Sequence, residues 1–206
     1  MRGTAPKPAA AHIFETNTED PELLTLSGRE LFHHRVAKLL YLSKRARPDI
    51  QLPVAYLCTR VKEANTDDDT KLGRVTRYLD GTIGLPMILS MDGSGKMRWY
   101  VDAAFAVHND MKSHTGAIMT MGQGAAYSQS SKQKLNTKSS TESELVGVDD
   151  ILPQMIWSKY FLEAQQEVVE DNICYQDNES SVKLEKNGKR SSSKRTRHIA
   201  IRYYFI

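Results

Sequence analysis

Apolar residues between Leu31 and Leu79 recur every three or four positions, the spacing of one face of an α-helix. Three helices are predicted there. The first carries Leu31, Phe32, Val36, Leu39 and Leu40, opens at a Ser27-x-x-Glu30 capping box and ends at Arg47-Pro48. In the second, capped by Asp49, Ile50, Val54, Leu57, Cys58 and Val61 share a face, and Pro53 falls early enough to be tolerated. The third opens at Asp67-Asp68-Asp69, carries Leu72, Val75 and Leu79, and closes at Gly81. Before them, residues 1–26 read as an irregular lead-in, rich in Pro and Ala and then acidic.

The pattern then changes. The apolar run Ile83–Leu89 reads as a strand, and Asp92-Gly93-Ser94-Gly95 as a turn. Strands are predicted over 97–107, 115–121 and 124–130, with Gly122-Gln123-Gly124 as a tight hairpin between the last two. A long helix follows over 140–165, kinked by Pro153. After it come a strand at 172–176, a short helix at 178–187, a basic loop and a final amphipathic stretch, His198–Ile206. A helical block followed by βββαβα gives two units, 1–90 and 91–206.

Composition narrows the class. A chain of 206 residues with 40% hydrophobic and 26% charged residues is long enough to bury a core. The net charge of +3 gives no global basic field, but seven lysines and arginines against one glutamate lie between Lys183 and Arg197. That run reads either as a solvated loop or as a segment that contacts phosphates. Cys58 and Cys174 are far apart and form no Cys-x-x-Cys, which argues against a disulfide framework or zinc site and for buried thiols in a reducing compartment. The six histidines show no metal-ligand spacing. With no apolar segment of membrane-spanning length and no apolar signal core at the N-terminus, a cytoplasmic or nuclear protein is expected, with no membrane partner.

Three carboxylates carry the candidate chemistry. Asp102 sits in the apolar run Trp99–Phe105, where burial is costly unless a positive group meets it. Glu144 lies in the first turns of the long helix, and Asp177 at the end of the strand-like run Ile173–Asp177. A helix advances by roughly 100° per residue. Glu144 therefore shares a face with Val148, Ile151 and Met155, while Glu142 aligns with Asp149 on the polar side. Glu144 is the acid expected to project over the sheet towards Asp102. Three converging acids suit a pair of Mg2+ ions, with Mn2+ as substitute, acting on a phosphodiester. Each also has a plainer reading: Glu144 as an N-terminal helix acid, Asp177 as an N-cap.

The order of motifs then identifies a family. Val101-Asp102-Ala103, His114-Thr115-Gly116-Ala117, Ser130-Ser131-Lys132-Gln133-Lys134, Ser139 to Leu145, Tyr175-Gln176-Asp177-Asn178 and Lys194 to Ile199 resemble the ribonuclease H region of copia-type LTR retrotransposon Pol polyproteins. Phe32 to Leu42, Arg47-Pro48-Asp49-Ile50 and Arg77 to Thr82 resemble the reverse-transcriptase tail just upstream. The resemblance implies an α/β fold, a ribonuclease H-like mixed sheet with flanking helices, preceded by a small, mainly helical segment. It implies two-metal hydrolysis of the RNA strand of RNA–DNA hybrids. Asp102, Glu144 and Asp177 fall on the family's metal-binding acids, and the rest of the polyprotein and a hybrid are the implied partners. Lys132, Lys134, Lys189, Arg190, Lys194, Arg195 and Arg197 are then expected to contact the hybrid backbone, on charge and position alone.

Departures from the family are also legible. The family supplies a fourth acid after a further strand, past Ile206, so the domain is expected to be incomplete at its C-terminus. Ala200 stands where many relatives carry an acid. No Tyr-x-Asp-Asp occurs, so no DNA synthesis is expected. The competing reading is an inactive retroelement remnant that at most binds nucleic acid. A transposase or integrase of the same fold fits the Ser-Ser-Lys-Gln and Gln-Asp-Asn contexts less well.

Overall fold

The structure is a computed structural model and describes residues 3–16 and 22–187. Among the described residues two compact units emerge, one up to residue 88 and the other from residue 89 on, with 130–132 grouped with the first.

The first unit is helical. Its elements are α1 (Leu26–Arg45), a 3-10 turn (Pro48–Ile50), α2 (Gln51–Arg60) and α3 (Thr66–Gly81). Phe32 and Val36 from α1, Val54 and Leu57 from α2, and Leu72 and Val75 from α3 form one buried cluster. Three sequence expectations are corrected here. Thr25, not Ser27, caps α1, its hydroxyl accepting from the Gly28 N–H at 3.2 Å. The buried stripe runs through Phe32 and Val36, and Leu31 and Leu40 fall off it and are exposed. Asp49 does not cap α2, because its carboxylate is taken by Arg47 at 2.8 Å and the Tyr78 hydroxyl at 2.8 Å. On α3 the cap is Asn65, paired reciprocally with Asp68 in a capping box.

The second unit is a mixed sheet with flanking helices. Its main strands are β2 (Lys96–Ala104), β3 (His114–Thr120), β5 (Tyr127–Lys132) and β6 (Asp171–Tyr175), in the order β5-β3-β2-β6. The short strands β1 (Ser90–Met91) and β4 (Gly122–Gln123) pair antiparallel with each other. The long helix α4 (Ser140–Ala164) runs through Pro153 without interruption, and α5 (Glu179–Asn187) follows β6. β2 pairs antiparallel with β3 and parallel with β6. The parallel pairing requires a crossover, and α4 supplies it. Met97, Trp99 and Val101 from β2, Ala117 and Met119 from β3, and Ile151 and Met155 from α4 make the core. Trp99, fully buried, also donates its indole N–H to Asn172 Oδ1 at 2.9 Å.

Three further expectations are corrected. Residues 83–89 form no strand, and Ile83, Leu85, Met87, Ile88 and Leu89 are exposed. Apolar character alone does not make a ladder, and Pro86 has no N–H to give one. Gly122-Gln123 is a strand partner of Ser90-Met91, not the tip of a hairpin. A Cβ on Gly122 would lie 2.8 Å from the Asp92 nitrogen, so this close backbone approach requires glycine. Finally, both cysteines are free thiols, but Cys58 is half-buried and Cys174, on β6, is exposed. No helix among the described residues is long and apolar enough to cross a membrane.

Candidate metal centre

The strand period decides where Asp102 points. Along β2, Val101 and Ala103 are buried, while Tyr100, Asp102 and Ala104 are exposed. The expectation of a costly buried Asp102 is therefore corrected: an apolar run in sequence still alternates in space. The buried acid is Glu144, only 6% exposed.

Register brings the other two acids level. Tyr100 faces Tyr175 across the parallel β2–β6 pair. Asp102 and Asp177 each lie two residues further on, Asp177 just past the end of its strand. On α4, Gly147 lies over the sheet, where an added Cβ would meet Thr115 Cγ2 at 3.5 Å and Ala103 Cβ at 3.6 Å. That approach sets the first turns of α4 beside the same end of β2. One carboxylate oxygen from each of Asp102, Glu144 and Asp177 lies within 4.8 Å of the others.

Neighbouring groups separate the roles of nearby polar residues. Ser139 caps α4 by accepting from the Glu142 N–H at 3.2 Å, and Glu142 in turn accepts from the Lys138 N–H at 2.7 Å. Glu142 is thus the helix-terminal acid and Glu144 the one in the cluster. Asn178 caps α5, accepting from the Ser181 N–H at 3.0 Å, so the N-cap reading of Asp177 does not hold. Gln176 joins two of the acids. Its Nε2 donates to Glu144 Oε2 at 3.0 Å, and its Oε1 accepts from the Asp177 and Asn178 N–H groups at 2.9 and 3.3 Å.

Burial pushes the Glu144 carboxyl up to about 7. The Gln176 amide and the Ala103 N–H pull it back, while the charges of Asp102 and Asp177 push it further up. A carboxyl so placed gains from any cation brought into the cluster.

A buried polar layer supports this end of the sheet. Gln133, 1% exposed, donates from Nε2 to Thr115 Oγ1 at 2.9 Å and to the Ser143 carbonyl at 2.8 Å, fixing the residue before Glu144. The His108 and His114 rings, both buried, meet at 3.0 Å between Nε2 and Nδ1. Burial, and then His108, pushes the His114 ring down to about 4. Sequence reading missed Gln133, Gln176 and this histidine pair. Gln133 sat inside a quoted motif, but its partners lie 10 and 18 residues away.

The predicted basic contacts fare differently. Lys132 is half-buried at the end of β5. Lys134 is exposed, and its charge acts on Asp150 of α4. Lys189, Arg190, Lys194, Arg195 and Arg197, like Ala200 and the stretch His198–Ile206, lie outside the described residues.

With this geometry in hand, comparison with known proteins is informative. The chain is 32% identical over 204 residues to the retrovirus-related Pol polyprotein from transposon TNT 1-94 of Nicotiana tabacum, which covers 97% of this chain. It is 31% identical over 193 residues to the Pol polyproteins from transposons RE1 and RE2 of Arabidopsis thaliana, covering 90% of this chain. The homologues of this chain are retrovirus-related Pol polyproteins of plant transposons. It spans only 15% of the tobacco relative and 13% of each Arabidopsis one. No family model matches the chain, and no solved structure does. These relatives are retroelement polyproteins several times longer than this chain.

Proposed function

We propose that residues 91–206 are a ribonuclease H-like module that hydrolyses the RNA strand of RNA–DNA hybrids, and that residues 1–90 are the tail of a reverse transcriptase. The observation that carries the reading is the meeting of Asp102, Glu144 and Asp177 within 4.8 Å in a chain whose homologues are Pol polyproteins.

The donor set fits Mg2+, or Mn2+ in its place. All three side chains offer oxygen, the donor these hard ions prefer, and among the described residues no sulfur or imidazole enters the cluster. Asp102, Glu144 and Asp177 would hold the ions. When bound, a pair of such ions activates the attacking water and stabilises the leaving oxygen. The chain's own residues do the rest. Gln176 and the Ala103 N–H orient Glu144, while Asp102 and Asp177 keep their carboxylates at the solvent side, where a phosphodiester can approach. Lys132, Lys134 and the basic residues between Lys189 and Arg197 would neutralise backbone phosphates. A cytoplasmic or nuclear location belongs to the same proposal.

The test uses the 206-residue chain and a labelled RNA–DNA hybrid. Mg2+-dependent cleavage of the RNA strand, abolished in Asp102→Asn, is the expected result. Cleavage that survives Asp102→Asn overturns the assignment of the site. A hybrid that is bound but left intact by the wild-type chain returns the remnant reading.

A further inference from the structure

We infer that Gln176 is a positioning residue for the metal centre, a single side-chain amide that ties the Glu144 carboxylate to the backbone of the turn carrying Asp177. The inference rests on the cluster being a cation site, as proposed above.

Strand β6 ends at Tyr175 and α5 begins at Glu179, so Gln176 and Asp177 lie in the connection between them. No ladder holds that connection. The Gln176 Oε1 does so instead, collecting the Asp177 N–H at 2.9 Å and the Asn178 N–H at 3.3 Å. The opposite end of the same planar amide donates to Glu144 Oε2 at 3.0 Å. Glutamine is the residue this geometry needs. A carboxylate here would face Glu144 with like charge, an aliphatic side chain would serve neither end, and asparagine is one methylene short. Gln176 therefore fixes the rotation of the Glu144 carboxylate from one side, while the Ala103 N–H steadies it from the sheet.

Without the amide, the Ala103 N–H is left among the described residues to offset the mutual repulsion of the three acids. Glu144 would rotate away and the Asp177 turn would loosen, so a cation would have to reassemble the site on binding. Partners that orient metal ligands in this way are worth about 10–100-fold in metal affinity.

The test titrates Mn2+ into the metal-stripped 206-residue chain by calorimetry. It compares wild type, Gln176→Met and Gln176→Asn, with Asp102→Asn as the non-binding reference. Gln176→Met removes both ends of the clamp. Gln176→Asn keeps an acceptor for the N–H two residues on, and so the turn, but falls short of Glu144. Both variants should bind Mn2+ at least 10-fold more weakly, with metal-free melting temperatures close to wild type. Wild-type affinity in both overturns the inference. So does a drop in metal-free melting temperature without loss of affinity, the mark of a purely structural role. Should Gln176→Met fail to fold, Gln176→Asn decides alone. A wild-type chain that binds no Mn2+ sinks the proposed function itself, and the clamp with it, a result distinct from wild-type affinity in the variants.

Discussion

Glu144→Gln should make the metal-free protein more stable at neutral pH, because the ionised acid cluster carries a folding cost. The side chain is 6% exposed, and in the fold its carboxyl is raised from the ordinary 4.5 to about 7. One tenfold change in proton affinity corresponds to about 1.4 kcal/mol, so this rise corresponds to about 3 kcal/mol. The sign follows from linkage. The folded state holds the proton more tightly than the unfolded chain, so no penalty exists below about pH 4.5. It builds up as pH rises and is complete above about pH 7. Glutamine has the size of the protonated acid, and its carbonyl can still accept from Gln176. The assay is urea unfolding in EDTA at pH 5 and pH 8. The chain has two tryptophans, Trp99 fully buried in the sheet core and Trp157 exposed. A Trp157→Phe background therefore leaves Trp99 as a reporter of this unit alone. Glu144→Gln should exceed its parent by up to about 3 kcal/mol at pH 8 and by much less at pH 5. Saturating Mg2+ should stabilise the parent and not the variant. A variant no more stable than its parent at pH 8, or a gap of equal size at both pH values, refutes the reasoning.

Other perturbations test the surrounding scaffold. Gln133→Leu leaves Thr115 Oγ1 and the Ser143 carbonyl without their buried donor, and should cost about 2–3 kcal/mol in thermal or urea unfolding. In the helical unit, burial pushes the Asp49 carboxyl up, and its Arg47 and Tyr78 hydrogen bonds more than reverse this, leaving it below its ordinary value. A depressed carboxyl stabilises above about pH 4 and loses that contribution as pH falls through its folded value. Asp49→Asn should thus cost about 1–2 kcal/mol at pH 7, with the difference from wild type shrinking in acid, as read by urea melts across pH. Gly122→Ala forces a Cβ against the Ser90 carbonyl and the Asp92 nitrogen, and should open the β1–β4 pair, with faster hydrogen exchange at Asp92 and Gln123.

Much of this fold was legible because strong local signals agreed with tertiary need. The helix α4 has a Ser139 cap and apolar residues enough to cover a sheet, and its bounds, Ser140–Ala164, nearly match those read from sequence. The main strands at 96–104 and 114–120 were equally clear. What failed needed a partner or a direction in space. Residues 83–89 are as apolar as a strand, but strand formation requires a neighbour, and composition does not say whether one exists. Asp102 was placed in a dry setting because its neighbours are apolar, yet the pleat turns it outward. The glutamines were invisible for another reason. Gln133 and Gln176 act through hydrogen bonds to groups brought near by folding, and no periodicity marks such a residue.

The unequal burial of the three acids is itself informative. Asp102 and Asp177 are exposed, and Glu144 is buried beneath them. A site that only had to be stable would not bury a carboxyl beside two others, since burial and like charge both oppose ionisation. Here the buried acid is the one with groups built around it: the Gln176 amide, the Ala103 N–H and a helix turn tied down by Gln133. The exposed pair is held by the backbone, through a shared register two residues past Tyr100 and Tyr175. Under the proposed function this divides the work. Glu144 anchors the ions from below with a fixed geometry, and the two aspartates complete the site from the face where substrate arrives. Exchanging the burden, by removing the supports of Glu144 while leaving both aspartates intact, should therefore cost metal affinity before it costs the fold.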